Sequence, residues 1–475
     1  MKSRAKFLSC FFASSLAFGL IIAALGNEQK VDAAIADFST PEFTEVIGST
    51  RDETLIDLDQ NTSGSFAIVG TTDGEIDGNP NRQLDAFVAK FNVEGKRQWL
   101  VRFGTPQDDY ATAVAIDESG TVWVSGDTYG GMEGNVNKGE RDGFVAKFSS
   151  TGVQQWIVHI STDVIERARG LAVDARGVAT VVGTTYGEFP GFSNFGKSRE
   201  AWITQIDASG NRLWLQQFGS EYADTIVDVV VDNAGNSTFC GYTDGAIGVK
   251  SYGGRDSFVG SFSTSGLQRW MYQFGTFGTD ICYGVAVNSQ NEIIAVGSTS
   301  ETVDGAVSRG KQDAFVLKLT STGLYQWASQ FGSSGDDGLA KIATNSAGQI
   351  IVGGSTTGSF DTTPNLGSLD AFLLVIDANG KSLSFKQFGS ERADGVAGIA
   401  VDGAQKVVIA GTIGSGIFGK PGIGELDVFI SKFPALNAAP AEVVQRTVKC
   451  KRLNVVKTFT GPKAVCPAGY KRLKN

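Results

Sequence analysis

One repeat governs what this 475-residue chain can fold into. An acidic residue followed two positions later by an aromatic recurs as Asp85/Phe87, Asp142/Phe144, Glu200/Trp202, Asp256/Phe258, Asp313/Phe315, Asp370/Phe372 and Asp427/Phe429, at intervals of 57, 58, 56, 57, 57 and 57 residues. Trp99, Trp156, Trp214, Trp270 and Trp327 keep the same period, with Phe385 and Phe43 in the equivalent places. Such a period marks units that bury their apolar faces by stacking on neighbours. Each unit divides into four β-type runs, in the fourth unit Ile226 to Val231, Ser237 to Gly241, Ser257 to Phe262 and Leu267 to Phe274. The turns between them are built from Asp, Asn, Ser and Gly, as in Asp232-Asn233-Ala234-Gly235, where Asp caps backbone N–H groups and Gly takes positive φ.

Four strands repeated seven times predict an all-β protein, a seven-bladed β-propeller of four-stranded blades. The 61 Gly against 10 Pro, with 41% apolar residues, fit many tight turns around a large core rather than a disordered or collagen-like chain. The series opens with an isolated fourth-type strand at Phe43 to Gly48 and closes with a unit that ends at its third, Phe433. The N-terminal strand is therefore expected to complete the seventh blade. The Trp and third-strand aromatics read as wedges between blades.

The segments Asp85-Ala86-Phe87-Val88-Ala89-Lys90-Phe91, Trp214-Leu215-Gln216-Gln217-Phe218-Gly219 and the Val-Ala-Val-Asp type run at 398–403 resemble a seven-bladed β-propeller repeat family of secreted bacterial proteins, over residues 43–433. The resemblance implies the fold and no common activity. The third unit departs from the pattern, with Ser161 in place of Gly, Glu200 of Asp and Trp202 of Phe.

Lys2, Arg4 and Lys6 precede an apolar stretch from Phe7 to Leu25 and the triplet Ala34-Ile35-Ala36, the layout of a signal peptide over residues 1–36. An uncleaved membrane anchor is the competing reading. The propeller is assigned to 37–433, a linker to 434–445 and a basic module to 446–475. Residues 37–433 carry a net charge of −19 and residues 434–475 one of +8. The acidic body argues against nucleic acid as a partner. The basic tail suits anionic wall polymer or lipid headgroups, or the propeller itself. Cys450 and Cys466 enclose a Lys-rich module that resembles short two-cysteine tails on secreted actinobacterial proteins, which implies a disulfide between them. Cys240 and Cys282, in apolar strands of neighbouring blades, read as buried free thiols, with a bridge as the alternative.

Loops between second and third strands run to about 15 residues, as from Thr184 to Arg199, and share a face with the connections between blades. On that face an acid precedes each innermost strand: Glu53, Asp109, Glu166, Asp224, Asp280, Asp337 and Asp394. Two readings stand for this collar, loop-capping carboxylates or a funnel for calcium or a cationic ligand. Tyr129, Tyr186, Phe189, Phe192, Phe195, Tyr242 and Tyr252 crowd the same loops. They are candidates for stacking on sugars or anchoring a protein, or for packing on one another. The single His, His159, stands where other units have Arg or Gln and reads as a polar outer-strand residue rather than a catalyst. No cofactor other than calcium is suggested. The function expected is a secreted or cell-surface binding scaffold, monomeric and non-enzymatic, for an extracellular polymer or protein. The alternative is a polysaccharide-acting enzyme that uses carboxylates at the channel mouth.

Overall fold

The structure is a computed structural model of the chain, and it describes residues 38, 40–76, 78, 83–194, 196, 198–248, 250–360 and 363–436, together with the backbone of 446–452, 455–461 and 471–472. Residues 1–36, most of the linker, Phe195 and Cys466 lie outside the described residues, and with them the signal peptide and the Cys450–Cys466 bridge.

Seven antiparallel four-stranded sheets follow one another along the chain, and among the described residues there is no helix. Blades 1 to 6 span 53–103, 109–160, 166–218, 224–274, 280–331 and 337–388. Blade 7 takes its first three strands from Gly395–Val401, Val407–Ile413 and Asp427–Phe433. Its fourth is Phe43–Ile47, paired with the third so that Phe43 faces Lys432 and Ile47 faces Val428. The ring is thus closed by the N-terminal strand. The first strands touch one another around the ring and line its channel.

The repeat's aromatics do the packing in two ways. In every blade the third-strand aromatic lies across from a second-strand glycine, as Phe87 opposite Gly70 and Trp202 opposite Gly183. A Cβ on Gly70 would stand 2.7 Å from the Phe87 ring, so only glycine leaves the aromatic room to lie on the strand. The fourth-strand Trp instead docks on the next blade. Trp99, Trp156, Trp214, Trp270 and Trp327 donate their indole N–H to carbonyls of Ser150, Ala208, Thr264, Ser321 and Ala378 at 3.0–3.3 Å. Each receiving turn is the one between third and fourth strands of the following blade, and its positive-φ glycine, such as Gly266 at φ +78°, lies against the indole face.

Every first strand is also interrupted by a β-bulge three residues on from its collar acid, which in blade 7 falls after Val396, the second residue of the strand. The bulge aims one extra side chain into the channel. The bulged residues are Ile56, Thr112, Arg169, Val227, Tyr283, Ala340 and Ala397.

Cys240 and Cys282 form a disulfide, with Cα atoms 5.9 Å apart, which corrects the expectation of free thiols. The reason is register. In blades 1, 3, 5 and 7 the second-strand residue before the glycine packs on the residue just ahead of the bulge in the next blade's first strand, as Val182 with Ile226 and Val296 with Leu339. Blades 4 and 5 place a cysteine at each of these two facing positions. The bridge is therefore a covalent copy of a contact that blades 1, 3, 5 and 7 make with apolar side chains.

The tail residues form a three-stranded antiparallel sheet in the order 455–461, 446–452, 471–472.

Deletion of residues 37–50 removes the closing strand and is expected to lower the melting temperature of the whole ring, read by circular dichroism. A truncated chain that melts like the parent would contradict the closure.

Candidate functional site

The collar acids are buried, with 0–2% of each exposed. Each accepts the backbone N–H and the hydroxyl of a Ser or Thr four residues earlier. Glu53 takes both from Ser49 at 2.6 and 2.7 Å, Asp109 from Thr105, Glu166 from Thr162, Asp224 from Ser220, Asp280 from Thr276, Asp337 from Ser333 and Asp394 from Ser390. Burial raises all seven above the ordinary carboxylate range, against the lowering effect of these hydrogen bonds. The geometry is that of loop caps. The Ser or Thr before each acid is visible in the sequence and is the signal for it. Among the described residues no group of three or more His, Cys, Asp or Glu side chains is placed to hold a metal ion.

A parallel set explains His159. Third-strand acids pair with a polar residue 17 positions on: Asp85 with Arg102, Glu200 with Gln217, Asp256 with Gln273, Asp313 with Gln330, Asp370 with Gln387. His159 Nδ1 lies 3.1 Å from Asp142 Oδ2 in the same arrangement.

The loop aromatics separate into two groups. Phe189 is 1% exposed, edge-on to Trp202 at 6.2 Å, and Phe192 packs against the same cluster. Phe189 is thus a core residue of its loop, and Phe192 is partly buried against that core. Tyr129, Tyr186 and Tyr252 remain 41%, 48% and 38% exposed. Tyr242 is half-buried, with the Arg255 and Arg199 guanidinium groups 4.7 and 5.8 Å from its ring centre.

The feature that the repeat pattern hid is the channel. A cavity of about 440 Å³ opens at its mouth on the long-loop face, lined by six of the seven bulged residues and by none of the collar acids. Most wall positions carry small or apolar residues. Blade 3 instead supplies Arg167 and Arg169, and blade 2 supplies Tyr110, Asp127 and Arg141. Arg141 ion-pairs with Asp127 and stacks over the Tyr110 and Tyr129 rings, at 4.6 and 5.0 Å from their centres. Asp127 is pushed up to about 6 because its burial outweighs the three arginines around it. Burial, with Arg167 and Arg141 as like-charged neighbours, holds the Arg169 guanidinium below its ordinary value, against the pull of Asp127.

Lys341 floors this cavity and roofs a second one of about 450 Å³ below it. It reaches across the channel from blade 6 to Asp57 of blade 1 at 2.6 Å. Asp57 and Asp228 in turn accept the N–H groups of Val114 and Val285, each in the following blade. Burial alone would lower Lys341, but Asp57 and Asp228 raise it. These three side chains plug the channel. Asp59, below the plug, accepts the Ile116 N–H at 2.8 Å, and burial pushes it up to about 7.

Two outcomes follow. The folded chain holds a proton on Asp59 that the unfolded chain releases near pH 4, so this stabilisation is complete below pH 4 and lost as pH rises through about 7. Asp59→Asn is expected to raise the melting temperature at pH 8 and leave it nearly unchanged at pH 4; equal shifts at both would contradict the assignment. Phe189→Ala is expected to cost about 3–5 kcal/mol in urea denaturation, and a change under 1 kcal/mol would show that the ring does not fill the core.

No family model matches the chain. It is 23% identical over 353 residues to the regulatory protein FlaEY of Caulobacter vibrioides, an alignment that covers 64% of this chain and 36% of that protein. The chain therefore spans little more than a third of that relative. Among solved structures it is similar to the Pan2 WD40 domain of Neurospora crassa, with 12% identity, 82% of this chain and 98% of that one covered and a TM-score of 0.44. YCF48 from Cyanidioschyzon merolae gives 11% identity, the same coverage and 0.44.

Proposed function

We propose that the chain is an exported, non-enzymatic binding scaffold that works at the cell surface or in the extracellular space, and that its ligand face is the one built by the long loops. The observation that carries this reading is the distribution of exposed apolar side chains. Among the described residues, ten of the sixteen large hydrophobics left exposed sit in second-to-third-strand loops or in connections between blades, including Tyr129, Val136, Tyr222, Phe277 and Val307. Phe277 is 92% exposed at the tip of such a connection. Apolar side chains held out on one face of a rigid ring are a means of binding a partner.

The partner is an extracellular polymer or protein. The basic residues of 446–475 add an electrostatic contact to anionic envelope material. That FlaEY is named a regulatory protein accords with a binding role rather than a catalytic one, for the portion that the two share.

Purified chain lacking residues 1–36, screened against glycan and cell-wall polymer arrays with product analysis, is expected to capture a ligand without turning it over. Captured polymer that is cleaved, with cleavage lost on substitution of channel-mouth carboxylates, would overturn the scaffold reading in favour of a polysaccharide-acting enzyme. Deletion of 446–475 is expected to make release from cells less dependent on salt.

A further inference from the structure

We infer that the channel mouth is a binding site for a small ligand bearing an oxyanion, a carboxylate or a phosphate, held by Arg167 and Arg169 with its remainder packed on Tyr110 and Tyr283. The inference deepens the scaffold reading by naming a ligand chemistry for one part of the loop face, and it rests on that reading only for its biological setting.

The charge of the mouth opposes that of the ring around it. The propeller residues 37–433 sum to −19, yet the mouth gathers Arg141, Arg167, Arg169 and Lys341 against Asp127. Arg141 is engaged by Asp127 and by Tyr129, whose hydroxyl lies 3.3 Å from Nη1, although its Nε is buried without a hydrogen-bond partner. Lys341 is satisfied by Asp57. Arg167 and Arg169 form no ion pair or hydrogen bond with another side chain among the described residues, and Arg167 Nε is buried without a partner. Two neighbouring guanidinium groups repel each other, and an oxyanion is the group that relieves this by taking hydrogen bonds from both.

Position sets the two arginines apart as well. Arg167 directly follows its collar acid, where the other blades have Thr54, Tyr110, Thr225, Ile281, Gly338 and Gly395. Arg169 is the bulged residue, where blades 6 and 7 have Ala340 and Ala397. Neither arginine is needed by the fold, since small residues fill the same places in sister blades. The bulge carries the Arg169 side chain out of the sheet and into a cavity of about 440 Å³, large enough for a small molecule. The walls opposite, at Ala340 and Thr54, are small, while Tyr110 and Tyr283 offer flat apolar surface beside the charge.

Isothermal titration of the chain lacking residues 1–36 with inorganic phosphate and, separately, with citrate tests the site. Saturable binding of either supports it, and the stronger of the two names the anion. Arg167→Ala and Arg169→Ala are each expected to weaken binding about tenfold or more, with an unchanged melting temperature. Arg169→Lys is expected to retain part of it, and Arg176→Ala, in a turn away from the mouth, all of it. Absence of saturable binding, or binding that the double variant Arg167→Ala/Arg169→Ala leaves intact, overturns the inference. Polymer capture that persists without oxyanion binding leaves the scaffold reading standing alone. Oxyanion binding without polymer capture does the reverse.

Discussion

One hydrogen bond, made seven times, holds the ring together on its long-loop face. The backbone N–H of each collar acid donates to the carbonyl of the residue just before the preceding blade's third strand: Glu53 to Leu426, Asp109 to Leu84, Glu166 to Arg141, Asp224 to Arg199, Asp280 to Arg255, Asp337 to Gln312 and Asp394 to Leu369, at 2.8–3.0 Å. A blade-to-blade backbone bond can be satisfied at every blade only if the chain closes on itself, because an open array would leave a terminal donor and acceptor to water. The docking of each Trp on the following blade's turn ties the other side of the joint. The carboxylate of each collar acid then fixes its own loop, so one residue aligns neighbouring blades through its backbone and shapes the long-loop face through its side chain.

Symmetry of this kind supplies stability everywhere and specificity nowhere. Chemical difference enters where blades depart from the common pattern. Blade 3 puts arginines at two positions that other blades fill with small, apolar or uncharged residues. Blade 6 puts Lys341, and blades 1 and 4 put Asp57 and Asp228, at a layer where the rest have Gly or Ala. The plug formed by the last three costs the desolvation of its charges, which only their mutual pairing and the N–H donors of Val114 and Val285 offset. Its consequence is a channel divided into two blind cavities, of which the mouth is cationic.

The fold was legible because its determinants are local and periodic: a glycine opposite an aromatic, a turn after each strand, a Trp every 57 residues or so. Ring closure was legible from the orphan strand at Phe43 and the missing strand after Phe433. What escaped was whatever needs three-dimensional register. The bulges leave no mark in a strand's alternation, so the inward aim of Arg169 was hidden. Cys240 and Cys282 lie 42 residues apart in different strand types, and their pairing follows only from aligning second strands with the first strands of the next unit. Phe189 and Phe192 look like surface aromatics in a long loop, yet that loop carries its own core against Trp202. The outlying residues are nonetheless visible in the sequence. Aligning the seven first strands shows Arg167 and Arg169 as charges where every other blade is uncharged, and Lys341 in a layer otherwise held by Gly, Ala or Asp.

The central claim is that departures from the repeat, not the repeat itself, make the site. Crystals of the chain lacking residues 1–36, soaked in tungstate and measured for anomalous scattering, test it most directly. The account predicts one dominant peak between the guanidinium groups of Arg167 and Arg169. Peaks scattered over the outer surface with an empty mouth would contradict it.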